Sequence, residues 1–105
     1  MSEFKFDNKN EIFLEIEDLS RKQEEQQKRI KAYVDQMVST KVNAIVDQLV
    51  AERKARGLTQ ADIAMRTGVA TSNIARFELK KTIPTFQFLE KYAYAVGMEM
   101  EYKLK

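Results

Sequence analysis

The sequence predicts an all-α fold: a bundle of short helices, preceded by a helical extension and followed by one short β-strand. Three patterns carry this expectation. Apolar residues recur at helical spacing from Ile12 to Val50, and no glycine or proline occurs before Gly57. Two short amphipathic segments are pinched around Gly68 within LTQADIAMRTGVATSNIARFE, Leu58 to Glu78. Last, Met98, Met100, Tyr102 and Leu104 alternate with Glu99, Glu101 and Lys103, a period of two with one apolar face.

The elements follow in order. EFKFD, residues 3–7, alternates apolar and polar and reads either as a short strand or as a disordered start. NKN, residues 8–10, reads as a turn. Ile12, Ile16 and Leu19 then open a helix. RKQEEQQKR, residues 21–29, holds no apolar residue, so it is a solvated helix or a linker. Apolar spacing resumes with Ile30, Tyr33, Val34, Met37 and Val38, and continues through Val42, Ile45, Val46, Leu49 and Val50. This is one long helix or two meeting near residue 40, where Ser39-Thr40 offers a cap. Gln23 and Gln26 interrupt a heptad seam of Ile16, Leu19, Ile30, Tyr33 and Met37. Polar seam positions can set coiled-coil register, and a plain solvated face is the simpler reading.

Gly57 ends the helix as a left-handed cap. A helix over about 60–67, a turn at Gly68 and a helix over about 71–79 follow. LKKTIPT, residues 79–85, is a loop, because Pro84 disfavours helix at Ile83. Thr85 caps a last helix over 86–96, whose buried stripe is Phe86, Leu89, Ala93 and Val96, and Gly97 ends it. The remaining aromatics, Phe88, Tyr92 and Tyr94, read as core or helix surface. A lone strand at 98–104 leaves its backbone edges unpaired. It needs EFKFD or a second copy of itself as partner. Three parts result: a helical extension over 1–39 for partner binding or oligomerisation, a central domain over 40–97, and a C-terminal strand over 98–105 making a sheet or dimer contact.

Composition narrows the function. The 105 residues contain no cysteine and no histidine. Thiol chemistry is excluded, and so are the commonest general base and metal ligand. No carboxylates pair at a site, so neither an enzyme nor a bound cofactor is expected. No run of about 20 apolar residues spans a membrane. The early acidic residues lack a signal-peptide core, which makes the cytoplasm the default location. The net charge of +2 divides unevenly. Residues 1–39 hold 7 Lys/Arg and 9 Asp/Glu, and residues 40–105 hold 11 and 7. A basic second half suits a polyanionic partner.

The pinched segment carries the most specific signal. Ala64 is small enough to let two helices cross closely, and Gly68 permits a positive φ in the turn. Ile63 and Ile74 fill the angle between the helices, while Val69 and Ile74 are placed as a hydrophobic staple. With ERKARGLTQADIA, TGVATSNIARFE and IPTFQFLEKYAYAVG, the stretch from about Ile45 to Gly97 resembles the Cro/repressor (XRE-type) helix-turn-helix family.

That resemblance implies a DNA-binding domain whose second short helix enters the major groove. It implies an ion pair between Arg53 and Glu78, and a phosphate contact for Gln60, beside the free N–H groups of a helix start capped by Thr59. Thr71, Ser72, Asn73 and Arg76 would face the bases; arginine can hold guanine and asparagine adenine through paired hydrogen bonds. Lys80, Lys81 and Thr82 fall where the family's backbone contacts cluster. Two positions depart from the family pattern. Ala70 cannot cap, so Thr71 or Ser72 would take that role and leave the bases. Lys80 replaces a common glycine, which leaves a looser loop or a strained backbone.

Reading two half-sites requires two copies, so the expected function is a homodimeric transcriptional repressor on a palindromic operator. The acidic extension and the Met-Glu-Met-Glu tail also look like HigA-type antitoxins. That likeness implies that residues 1–39 hold a basic ribonuclease toxin while the domain represses the shared operon. The alternative is a stand-alone regulator whose extension only oligomerises.

Overall fold

The computed structural model describes the backbone of residues 9–105, and side chains from residue 15 onward. Four helices are present among them: α1 (Lys9–Ala55), α2 (Gln60–Thr67), α3 (Thr71–Glu78) and α4 (Phe86–Ala95). Two compact units result, Met1–Met37 and Val38–Lys105.

α1 runs through Ser39 and Thr40 without a break. No proline removes a backbone hydrogen bond there and no glycine loosens the chain, and continuing the helix keeps the carbonyls of this stretch paired. Lys9 and Asn10, read as a turn from sequence, already belong to α1. The polar stretch 21–29 is helical and exposed, as is every residue from 15 to 41. The EFKFD segment lies outside the described residues.

In the second unit the stripe on α1 turns inward. Val46 and Leu49 are buried, with Val42, Ile45 and Val50 packed beside them. They meet Ile63 of α2, Ile74 and Phe77 of α3, and Leu89, Tyr92, Ala93, Ala95 and Val96, from α4 and its cap. Phe77 is the aromatic centre of this core, its ring 4.7 Å from Phe88 and 5.1 Å from Tyr92 in tilted geometry. The buried stripe of α4 differs from the expected one. Phe86, its first residue, lies beyond the end of the core and is exposed, whereas Tyr92 is buried.

Local chemistry accounts for the helix ends. Thr59 and Asp62 form a reciprocal capping box at α2, and the Thr85 hydroxyl accepts from the Phe88 N–H at α4. Gly68 closes α2 with φ 74°, its N–H on the Ala64 carbonyl. The Thr67 hydroxyl donates to Ile63 O and accepts from Val69 N–H, which fixes the turn into α3. Across the core, Arg66 of α2 donates to the Ala95 carbonyl of α4 at 2.7 Å.

The expected C-terminal strand is not formed: residues 98–105 have no regular secondary structure. The fold is all-helical among the described residues. An alternating pattern makes a strand only when a neighbouring backbone supplies the ladder, and none stands beside this one among the described residues. Side chains anchor the tail instead. Met100 packs against the core, the Tyr102 ring meets Phe86 edge-on at 5.3 Å, and the Tyr102 hydroxyl donates to Glu90 at 2.7 Å.

Candidate nucleic-acid interface

α3 has eight residues and two distinct sides. Ile74 and Phe77 point into the core, while Thr71, Ser72, Asn73 and Arg76 are exposed. The spacing of three between 73 and 76, and between 74 and 77, produces this division. Ala70 is the N-cap residue and supplies no side-chain hydrogen bond. Thr71 and Ser72 do not replace it as caps, since both lie within the helix, leaving their side chains on the outer face with Asn73.

The inner edge of α3 is held by one carboxylate. Glu78 Oε1 accepts from Arg53 Nη2 at 2.8 Å and Gln60 Nε2 at 3.1 Å. Its Oε2 accepts from Arg53 Nε at 2.9 Å and from the Tyr92 hydroxyl at 2.7 Å. Each of the four helices thus contributes a residue, and the roughly four acceptor sites of a carboxylate are all used. Arg53 Nη1 also donates to the Leu58 carbonyl at 2.8 Å, tying the end of α1 to the start of α2. Both charges are shielded, with side-chain exposures of 10% for Arg53 and 7% for Glu78.

Ionisation follows this geometry. Burial opposes charge on Glu78, but hydrogen bonds from Arg53, Tyr92 and Gln60 outweigh it and hold the carboxyl below its usual range. Burial first, and then the bond to Glu78, push the Tyr92 hydroxyl well above its usual value. The hydrogen bond to Glu78 raises Arg53 further. The cluster is therefore an ion pair with satisfied neighbours across the neutral range.

The structure brings Gln60 into this cluster, so its amide N–H is committed to Glu78. Tyr92 is a member that sequence reasoning missed; its position on the inward face of α4 was the available signal. Lys80 has φ 62°, the sole non-glycine residue with positive φ among those described. Its N–H bonds Phe77 O and the next N–H, of Lys81, bonds Arg76 O, so Lys80 occupies the left-handed position of a Schellman cap. Its ammonium lies 2.7 Å from Asp47 of α1. Lys81 and Thr82 are exposed beside it.

A groove of about 370 Å³ runs between α3 and the loop before α4, with Asn73 and Arg76 on one wall and Ile83 and Pro84 on the other. Among the described residues no cluster of carboxylates could hold a metal ion, and no helix is long and apolar enough to cross a membrane. A family model described as helix-turn-helix matches residues 49–103. No curated protein and no solved structure matches the chain.

Proposed function

Since the chain belongs to the helix-turn-helix family, and so is a DNA-binding transcriptional regulator, we propose that it acts as a homodimeric repressor of a palindromic operator. The observation that carries this reading is the outer face of α3. Asn73 and Arg76 share that face and are exposed, and the helix that bears them is locked from behind by Glu78. Asparagine and arginine are the side chains best suited to reading adenine and guanine in the major groove. Thr71 and Ser72 contribute hydroxyls to bases or phosphates, and Lys81 a phosphate contact that adds affinity without sequence information. Lys80 contributes less, because its ammonium is turned toward Asp47 of α1, 2.7 Å away. Gln60 reaches phosphate only through the second hydrogen of its Nε2 or by releasing Glu78, so the N–H groups at the start of α2 are the better anion contact.

A second reading adds a protein partner. The excess of acids in residues 1–39 suits a small basic ribonuclease, whose toxicity the chain would neutralise while repressing the operon. Selection of bound sequences from a random DNA pool tests the first reading. It should return two inverted half-sites about 34–36 Å apart or a multiple of that. Enrichment of a single half-site, or of none, would exclude a dimeric repressor. The ribonuclease reading requires co-elution with the product of an adjacent gene.

A further inference from the structure

We propose that the exposed part of α1 pairs with the same segment of a second copy as a parallel, in-register, two-stranded coiled coil. This rests on the homodimeric reading above and specifies how the dimer is held. Ile16, Leu19, Ile30 and Tyr33 are 53–65% exposed, and Met37 is 36% exposed. They fall on heptad positions a, d, a, d and a, with Gln23 and Gln26 filling the a and d places between them. The seam thus spans about three heptads of an unbroken helix, with apolar layers on either side of one polar heptad.

Three features select a second copy in parallel as the occupant. First, Ile16 and Ile30 at a with Leu19 at d match the β-branched a, leucine d preference of parallel two-stranded coils. Second, in-register pairing sets each glutamine against its own copy, so polar layers meet polar layers and apolar layers meet apolar ones. Third, the flanking charges tolerate it. In a parallel pair each g residue faces the following e residue of the other chain: Glu15 faces Ser20, Lys22 faces Gln27, and Arg29 faces Val34. No like charges meet. Lys22 also keeps its partner Asp18, one turn back at 3.3 Å. One antiparallel register also matches polar to polar layers, with Leu19 opposite Ile30 and Gln23 opposite Gln26. That register sets Lys22 against Arg29 twice, which is repulsive.

The chain has no cysteine, so one introduced thiol reports on its own position. Under mild oxidation of the full chain, Leu19→Cys alone should form a disulfide-linked dimer. An antiparallel pair would instead cross-link only when Leu19→Cys and Ile30→Cys chains are mixed. Ile30→Asp should weaken dimerisation at least tenfold by sedimentation, while the near-ultraviolet signal of the packed tyrosines stays native. Gln23→Ile with Gln26→Leu should tighten it at least tenfold. A dimer that survives Ile30→Asp, or in which Leu19→Cys alone fails to cross-link, overturns the coiled coil and leaves the dimeric reading intact. A wild-type chain that sediments as a monomer at tens of micromolar overturns both, whereas a stripe that is covered only by a basic ribonuclease overturns the coiled coil alone.

Discussion

Glu78 and Arg53 lie 25 residues apart in the chain and are joined by two parallel hydrogen bonds of 2.8 and 2.9 Å. The geometry is bidentate, which fixes direction as well as distance. Because Gln60 and Tyr92 use the remaining acceptor sites, the carboxylate cannot shift without breaking several bonds together. The pair's consequence is positional: it ties the end of α3 to the end of α1, while the burial of Ile74 and Phe77 turns the other face of α3 outward.

Glu78→Gln keeps the shape and removes the charge, leaving the Arg53 guanidinium buried without a counter-ion. We expect a loss of about 3 kcal/mol in unfolding free energy. Arg53→Met should cost a similar amount, and the double variant less than the sum of the two. Urea melts of the three variants check this; strict additivity would show that the pair does not act as a unit.

Acid and alkali should destabilise the fold through different members of the cluster. Glu78 is held below its ordinary value of 4.5, so its contribution is present above that value and is lost as pH falls further. Asp62, lowered by hydrogen bonds from the Thr59 backbone and side chain, acts in the same sense. Tyr92 is raised above its ordinary value of 10.0, so the unfolded chain gives up this proton first and stability falls as pH rises beyond 10.0. Stability measured against pH should flatten on the acid side in Glu78→Gln and on the alkaline side in Tyr92→Phe. An unchanged profile in either variant would assign that limb to other groups.

Lys80 sits where a glycine would be unstrained. Lys80→Gly and Lys80→Ala both lose the contact to Asp47, which is worth little at this exposure. They differ in backbone strain, since only glycine enters the left-handed region without cost. The glycine variant should be more stable than the alanine variant by about 1 kcal/mol. Equal melting temperatures would mean that the cap relaxes to another conformation.

Arg76→Ala should remove about 1–3 kcal/mol of discrimination between operator and unrelated DNA, while weak, salt-sensitive binding persists. Lys81→Ala should weaken binding to all sequences alike and reduce the salt slope by about 1. Lys80→Ala should change that slope less, because the Lys80 ammonium is turned toward Asp47. Titrations at several salt concentrations separate the three. Unaltered sequence preference in Arg76→Ala would remove this residue from the reading face.

What the sequence determined by itself is local. Thr59 and Thr85 precede their helices with a hydroxyl in reach of the first N–H groups, and Gly57 and Gly68 follow with the conformation a helix end requires. The Ile63 and Ile74 spacing marks the inward faces of α2 and α3 because helical periodicity needs no distant partner. Tertiary structure alone decided the rest. Tyr92 reaches Glu78, and Lys80 reaches Asp47, only once separate helices have packed, and no spacing in the chain encodes those distances. The tail shows the same limit from the other side. Its alternation was legible, but a strand exists only beside another, and the backbone that would pair with 98–105 is not there among the described residues. A helix closes its hydrogen bonds within itself, whereas a strand depends on a neighbour that its own residues cannot specify.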